Sequence, residues 1–294
     1  MTLGIILGTF ITSILAYLLG SFSFSIAIVK WKTNKDVREQ GSKNAGATNA
    51  SRMIGKKWGV VIMLLDSFKI FLAVLLAFLI SLIPTGSSEI FKNTILIIPG
   101  FFALVGHCWP VYYKFKGGKA VSCFLGLMLV ANFLVGLIFF TIWLILVLVS
   151  KKVSIGSIFA TILAAALMWI PQLSGLSNFS INGNDFESAF PFVWYNKFHL
   201  VNGSPMDSFL VINLVVTFAA LILLARHYQN IIRLIKGTEP AFLGKKKIKS
   251  NENDIEVNEL DKINENTKKI IINESNSKEK KNLKTQKKKN KKCT

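Results

Sequence analysis

The sequence predicts an all-α integral membrane protein with seven transmembrane helices, an outside N-terminus and a cytoplasmic C-terminus. Of its 294 residues, 51% are hydrophobic, which is high for a soluble domain of this length. The hydrophobic residues are concentrated in long blocks. The formal net charge of +19 lies largely in the gaps between these blocks and in the last fifty residues. This distribution indicates contact with a membrane surface and argues against a nucleic-acid partner.

Six apolar runs could cross a membrane, and each is bounded by Gly, Pro, Asn or charged residues. The first run has no basic leader and no small-residue cleavage site, so it is predicted to remain as a spanning helix. The runs comprise residues 1–29, 59–83, 94–113, 120–149, 153–173 and 208–225.

The fourth run, residues 120–149, has two interpretations. As one helix its thirty residues would extend roughly 45 Å, beyond the roughly 30 Å hydrocarbon core, although tilt would absorb some excess. One tilted helix gives six crossings, whereas two short helices that turn at Asn132 give seven. Seven crossings place every basic segment in the cytoplasm, as the positive-inside rule requires, and six do not. Seven is therefore preferred, although residues 120–131 are short for a span.

The chain divides into a membrane domain, residues 1–243, and a basic tail, residues 244–294. From Lys245 onward there are 16 lysines and 8 acidic residues without apolar runs, so the tail is predicted to be disordered. It is either a solvated tail or a segment that adheres to anionic lipid. Residues 174–207 are predicted to form an outer loop.

Cysteine usage indicates neither a metal site nor a disulfide framework. Cys108, Cys123 and Cys293 lack a CxxC spacing and are odd in number. They are interpreted as free thiols.

The first of three polar segments follows the first apolar run. Its small residues allow successive backbone amides to point into one concavity, and Arg52 would provide a planar fork for phosphate oxygens. The segment is therefore interpreted as an oxyanion cradle. It contains Ser21, Arg38, Ser42, Lys43, Asn44, Thr48, Asn49 and Arg52.

The second segment runs from Gly106 to Lys119 and contains His107, Lys116 and the pair Gly117 and Gly118. It is not a Walker A loop, because the GxxxxGK[ST] spacing is absent. The glycines would let a headgroup approach the backbone, and the lysines would balance its charge.

The third segment begins at Arg226. On a helix, His227 and Asn230 share a face, and a histidine there could accept a hydroxyl proton. Asp66 and Lys69 form an ionisable pair within the second apolar run. This pair is either a structural ion pair, the preferred interpretation, or a support for the polar segments.

The stretches GSKNAGATNASR, GHCWPVYYKFKGGKAV and RHYQNIIRLIKGTE resemble, in order and spacing, the three motifs of the acyl-phosphate-dependent glycerol-3-phosphate acyltransferases, the PlsY type. The resemblance covers roughly residues 17–240. It implies an enzyme of the bacterial cell membrane with its active site facing the cytoplasm. Such enzymes transfer a fatty acyl group from acyl phosphate to the 1-hydroxyl of glycerol 3-phosphate, which gives lysophosphatidic acid and phosphate.

Together the motifs and the resemblance nominate catalytic and substrate-binding residues, with no metal ligand and no cofactor. The expected catalytic residues are Ser42, Arg52, Lys119, His227 and Asn230. The expected substrate-binding residues are Ser21, Arg38, Lys43, Asn44, Thr48, Asn49, His107, Lys116, Gly117, Gly118 and Arg226. Glu239 is expected to be structural.

The sequence departs from the family pattern at Ser23, Lys43 and Ala120, where the family usually has proline, glycine and glycine. Lys43 either contacts phosphate or points away, and Ala120 would narrow the donor pocket. The expected partners are both substrates, membrane lipid and a soluble enzyme that forms acyl phosphate. The alternative class is a transporter or channel for an anionic metabolite.

Overall fold

The computed structural model describes residues 2–85, 90–174 and 208–242. The predicted basic tail and, apart from Ser174, the predicted outer loop lie outside these residues, as does Cys293. All regular secondary structure in the described residues is helical, which confirms the all-α prediction for this part of the chain.

The described residues form eleven α-helices. They are α1 (Thr2–Gly20), α2 (Phe24–Thr33), α3 (Ala47–Ile54), α4 (Lys56–Ser81), α5 (Ile97–Cys108), α6 (Val121–Ala131), α7 (Phe133–Ser150), α8 (Val153–Leu167), α9 (Pro171–Ser174), α10 (Phe209–Arg226) and α11 (Tyr228–Ile235).

Several of these helices have the length and composition of membrane spans. Four stretches qualify fully: Ile6–Thr33, Lys56–Ser81, Phe133–Ser150 and Phe209–Arg226. The stretches Ile97–Tyr113, Val121–Ala131 and Val153–Leu167 are apolar but shorter. Large apolar side chains such as Phe10, Leu64 and Phe218 face outward, while Asp66 and Lys69 are buried inside. Exposed apolar surface around a polar interior is suited to lipid, not to water.

The spanning helix predicted from residues 1–29 is interrupted, although Ile6–Thr33 has the length and composition of a membrane span. The chain leaves helical geometry between Gly20 and Phe24. Gly20 packs so closely against α5 that a Cβ there would lie 2.0 Å from the Ala103 carbonyl oxygen. The ammonium of Lys69 donates to the carbonyls of Gly20 and Phe22, at 3.0 and 3.1 Å. These contacts satisfy carbonyls that the break leaves without helical partners.

The fourth apolar run is divided at Asn132, so its interpretation as two helices is confirmed. The Asn132 Oδ1 atom accepts from the Val135 amide at 3.1 Å and caps α7, while its Nδ2 donates to the Leu173 carbonyl at 2.7 Å. A capping asparagine satisfies a first-turn amide that has no partner within its own helix. One buried side chain thus ends α6, starts α7 and holds α9.

Close helix contacts through small residues hold the bundle together. A Cβ on Gly106 of α5 would lie 2.3 Å from the Tyr17 carbonyl oxygen of α1, and one on Gly126 of α6 would lie 2.3 Å from the Ser67 carbonyl oxygen of α4. Such contacts require glycine and are typical of helix packing in membranes. They hold α5 against α1 and α6 against α4.

Candidate active site

A pocket of about 450 Å³ lies where the three polar segments meet. All five expected catalytic residues line it, although they come from segments far apart in the sequence. Of the expected substrate-binding residues, Asn44, Thr48, Asn49 and His107 also line it. The sequence therefore located most of the pocket's polar end.

The first polar segment lines part of this pocket. Gly46, Ala47 and Thr48, which begin α3, line it, and first-turn amides of a helix have no partners within the helix. Asn49 instead holds the loop together, because its Nδ2 donates to the carbonyls of Val37 and Gln40, at 2.6 and 2.9 Å. Its Oδ1 accepts from the Ser42 amide at 3.0 Å.

Arg38 does not line the pocket. Its guanidinium is paired with Asp36 at 2.6 Å and donates to the Tyr113 carbonyl at 2.9 Å. Hydrogen bonding with Arg38 holds the pKa of the Asp36 carboxyl below its usual value. The pair therefore connects the first polar segment to the second.

Replacing Arg38 with methionine is expected to lower the free energy of unfolding by about 1–3 kcal/mol, because charge-assisted hydrogen bonds between two segments are lost. Thermal unfolding in detergent would measure the change. An unchanged midpoint with a Michaelis constant raised as far as in Arg52→Met would instead make Arg38 a substrate contact.

The second segment forms a tight turn behind the pocket. Arg226 donates to the carbonyls of Gly118 and Gly117, both at 3.1 Å, and stacks its guanidinium over Trp109 at 5.6 Å. The Gly118 amide donates to the His107 carbonyl at 3.1 Å. Arg226, Gly117 and Gly118 do not line the pocket themselves; they shape the turn that presents Lys119.

Other nominated residues lie further away. Ser21 is buried and accepts from the Val111 amide at 3.4 Å. Lys43 and Lys116 are exposed and do not line the pocket. Of the two readings of Lys43, the structure therefore favours a side chain that points away.

A buried polar network positions the Lys119 ammonium. Lys119 donates to Asn230 Oδ1, and the Asn230 amide donates to Ser154 at 2.6 Å and to Glu239 at 2.7 Å. Glu239 also accepts from Ser154 and, at 2.7 Å, from Arg233. Burial opposes ionisation of Glu239, but its hydrogen bonds outweigh burial and lower the pKa of the carboxyl.

Lys119 is a pocket cation whose pKa is lowered. Burial, together with the nearby charge of Arg233, lowers its pKa to about 8. An incompletely hydrated ammonium surrounded by other cations gains strongly from an anionic ligand. This end of the pocket, which Arg52 also lines, is suited to phosphate.

His227 presents a neutral acceptor. Its Nδ1 lies 2.9 Å from the Leu223 carbonyl oxygen, which can only accept, so Nδ1 carries the proton and Nε2 keeps its lone pair. Burial lowers the pKa of the ring to about 4. A hydroxyl group in the pocket could therefore donate to Nε2 at neutral pH.

The remainder of the pocket is an apolar arm. It is formed mainly by α7, with contributions from α4 and α6, and it includes Val60, Met63, Leu125, Phe139, Phe140, Trp143, Leu144, Val147 and Leu148. An alkyl chain would lose water-exposed area on entering it. A cationic end joined to an apolar arm suits an amphiphile with an anionic head.

Sequence reasoning missed several pocket residues. Ser154 and Ser157 of α8, Lys56 and Arg233 line the pocket, yet the serines lie in an apolar run and carry no motif. A signal was available for Arg233, because it is a basic residue within the third motif, RHYQNIIRLIKGTE.

Asp66, His107 and Cys123 place ligand-type atoms within 4.8 Å of one another. The Lys69 ammonium already lies 3.0 Å from both Asp66 Oδ1 and His107 Nδ1. The positive charge at this cluster is therefore that of the Lys69 ammonium. Cys108 and Cys123 are free thiols, as predicted.

The departures at Lys43 and Ala120 occupy strained backbone. Their φ angles are 55° and 60°, in the left-handed region that glycine adopts without steric cost. This geometry explains why the family pattern has glycine at both positions.

Ala120→Gly is accordingly expected to raise the free energy of unfolding by about 0.5–1 kcal/mol, and the exposed Lys43→Gly should do the same. Thermal unfolding would measure both. Ala73→Gly, in the middle of α4, is the matched control and should destabilise. Equal destabilisation by all three would contradict the strain argument.

Comparison with known proteins agrees with this geometry. The family described as "Glycerol-3-phosphate acyltransferase" matches residues 10–237. The chain is 45% identical over 249 residues to the glycerol-3-phosphate acyltransferase of Mycoplasma mycoides subsp. mycoides SC, covering 82% of this chain and 95% of the relative. It is 33% identical over 228 residues to that of Staphylococcus carnosus, covering 77% and 94%.

Among solved structures, the chain is similar to PlsY (YgiH), described as an integral membrane glycerol 3-phosphate acyltransferase in its glycerol 3-phosphate form. The TM-score is 0.57 and the identity 31%, with 83% of this chain and 99% of that chain covered. The lysophosphatidic acid form matches with a TM-score of 0.54, covering 79% and 94%. The chain therefore belongs to the glycerol-3-phosphate acyltransferase family of integral membrane enzymes.

Proposed function

We propose that this enzyme transfers a fatty acyl group from acyl phosphate to the 1-hydroxyl of glycerol 3-phosphate. The products are lysophosphatidic acid and inorganic phosphate, and the reaction is the first acylation of phospholipid synthesis. One observation carries the proposal: Ser42, Arg52, Lys119, His227 and Asn230 line a single pocket with a cationic end and an apolar arm. The glycerol 3-phosphate and lysophosphatidic acid forms of the similar PlsY structure support it.

The arrangement suits two anionic substrates that react without a covalent enzyme intermediate. Acyl phosphate is an activated mixed anhydride, so the enzyme needs chiefly to position the reactants and stabilise developing charge. Arg52 and Lys119 would hold the phosphates, and the apolar arm would hold the acyl chain. No cofactor is required by this chemistry.

The attacking hydroxyl would be oriented at His227. Its neutral Nε2 accepts the hydroxyl hydrogen bond, while Asn230 holds the Lys119 ammonium in place. In the first polar segment, Ser42, Asn44 and Thr48 would donate to phosphate oxygens.

For the membrane arrangement we propose seven crossings, by α1, α4, α5, α6, α7, α8 and α10, with the N-terminus outside and the pocket and the C-terminus in the cytoplasm. With these seven crossings, the basic segments would all lie on the cytoplasmic side of the membrane, as the positive-inside rule requires. They are Lys30–Lys57, Lys114–Lys119, Lys151 with Lys152, and the residues after Arg226. The pocket supports this arrangement, because it is lined from the same segments. The basic tail, a proposed separate region, would also lie in the cytoplasm, either solvated or in contact with anionic lipid.

A purified acyl-transfer assay tests the activity. Protein in detergent should form lysophosphatidic acid from acyl phosphate and glycerol 3-phosphate, whereas a transporter would need a sealed vesicle. Arg52→Met should abolish most of the product, and the exposed Lys57→Met is the matched control. Absence of product from a folded wild-type protein would contradict the proposal.

Cysteine labelling tests the orientation. With Cys293 replaced, cysteines introduced at Lys35 and Lys151 should react with an impermeant maleimide only after the membrane is opened. Reaction of either position in intact cells would rule out a cytoplasmic pocket.

A further inference from the structure

A buried ion pair of α4 at the pocket contacts two other parts of the fold. Asp66 and Lys69 of α4 lie 3.0 Å apart, and each side chain is only 2% exposed. The Lys69 ammonium also reaches the carbonyls at the α1 break and, in α5, His107 Nδ1 at 3.0 Å. A merely structural ion pair could be satisfied within α4, yet this one is directed at a pocket residue.

The contact with Lys69 fixes the tautomer of His107. A lysine beside a carboxylate at 3.0 Å is an ammonium, which has donors and no lone pair. A hydrogen bond between Lys69 Nζ and His107 Nδ1 requires Nδ1 to accept, which leaves the ring neutral with its proton on Nε2. His227 holds the opposite tautomer, because its Nδ1 donates to a carbonyl.

The Nε2 side of His107 faces the glycine turn of the second segment. A Cβ on Gly118 would lie 2.2 Å from His107 Nε2, and both His107 and Asp66 line the pocket. Only glycine at this position leaves room for the ring. The Nε2 atom therefore lies against the turn that leads into Lys119.

We propose that Lys69, held by Asp66, is a positioning residue that keeps the His107 proton on Nε2, so that His107 donates a hydrogen bond to the phosphate of glycerol 3-phosphate. Lys69 acts through His107 and does not touch the substrate. The proposal rests on the acyltransferase function proposed above.

Nitrogen NMR of the full-length protein labelled with nitrogen-15 in histidine tests the tautomer without an activity assay. The chain has three histidines, and His107→Gln assigns the signal. Wild-type His107 should be protonated at Nε2, with His227 as an internal reference of the opposite kind. In Lys69→Met the His107 proton should move to Nδ1, which lies 3.5 Å from the Asp66 carboxylate.

A double-mutant cycle tests the functional consequence. Lys69→Met should raise the Michaelis constant for glycerol 3-phosphate by about tenfold, the effect of losing a hydrogen bond to a charged group, with a smaller change in kcat. Glutamine at position 107 carries a fixed N–H donor. In the His107→Gln protein, therefore, Lys69→Met should add little.

The proposal would be overturned if the His107 proton stayed on Nε2 in Lys69→Met. It would also be overturned if Lys69→Met raised the Michaelis constant by the same factor in the His107→Gln protein as in the wild-type protein. If Lys69→Met fails to fold because it leaves Asp66 unpaired, Asp66→Asn combined with Lys69→Met removes both charges. That protein should fold and keep the raised Michaelis constant; a wild-type constant would overturn the proposal. If the wild-type protein lacks transferase activity, the NMR result still decides the role of Lys69.

Discussion

Replacing Lys119 with methionine is expected to reduce kcat/KM by about 10²–10³-fold. The ammonium is held by Asn230 within the Ser154 and Glu239 network, so in the proposed reaction it would need little reorganisation to meet the charge that develops on a departing phosphate. Removing one such preorganised donor typically has an effect of this size. Steady-state kinetics in detergent with acyl phosphate and glycerol 3-phosphate would measure it.

The pKa of Lys119 gives this prediction a pH signature. Because the pKa is lowered to about 8, the ammonium is charged below pH 8 and loses its proton as the pH rises above it. The kcat/KM value, which reports the free enzyme, should therefore fall on the alkaline side around pH 8. Lys119→Arg should move this alkaline limb to higher pH, since a guanidinium stays charged.

Lys114→Met is the matched control, because Lys114 lies in the same segment but is exposed and does not line the pocket. It should leave kcat/KM within about twofold of the wild-type value. An alkaline limb that persists unchanged in Lys119→Arg would show that another group titrates there.

The sequence predicted those parts of the fold that depend on local pattern. The end of α6 was predictable, because Asn132 is a capping residue within a run too long for one span. The break after Gly20 was not, since it depends on a lysine 49 residues away and on close contact with Ala103. Hydropathy records the polarity of a segment, and it carries no information on such distant partners.

In the candidate site, too, features that depend on local sequence were predictable and features that depend on distant contacts were not. The motifs identified Arg52, Lys119 and His227, because their residue types match phosphate and hydroxyl chemistry. They did not distinguish residues that face the pocket from residues that hold the loops, as Arg38 and Arg226 do. This distinction depends on which backbone carbonyls come within reach, and those carbonyls belong to segments more than 70 residues away.

His227→Phe is expected to lower kcat by about 10²-fold, within the range for loss of a group that handles a proton or orients a nucleophile. The pKa of about 4 means that Nε2 is an acceptor at neutral pH but a weak base. We therefore expect His227 to align the glycerol 3-phosphate hydroxyl, with the proton passing to a substrate phosphate. The Nε2 lone pair is present above about pH 4 and is lost as the pH falls through that value. The pH profile of kcat/KM should therefore contain no ionisation near pH 6.5 that is present in the wild-type enzyme and absent from His227→Phe.

His227→Gln separates alignment from proton removal, because a glutamine carbonyl can accept the hydroxyl hydrogen bond but cannot take up the proton. If His227 aligns the hydroxyl, this variant should retain kcat within about tenfold of the wild-type value and mainly raise the Michaelis constant for glycerol 3-phosphate. A loss of kcat as large as that in His227→Phe would instead require His227 to remove the proton. In that case binding of the dianionic substrate would have to raise the pKa of the ring toward the working pH, because a neighbouring negative charge favours imidazolium.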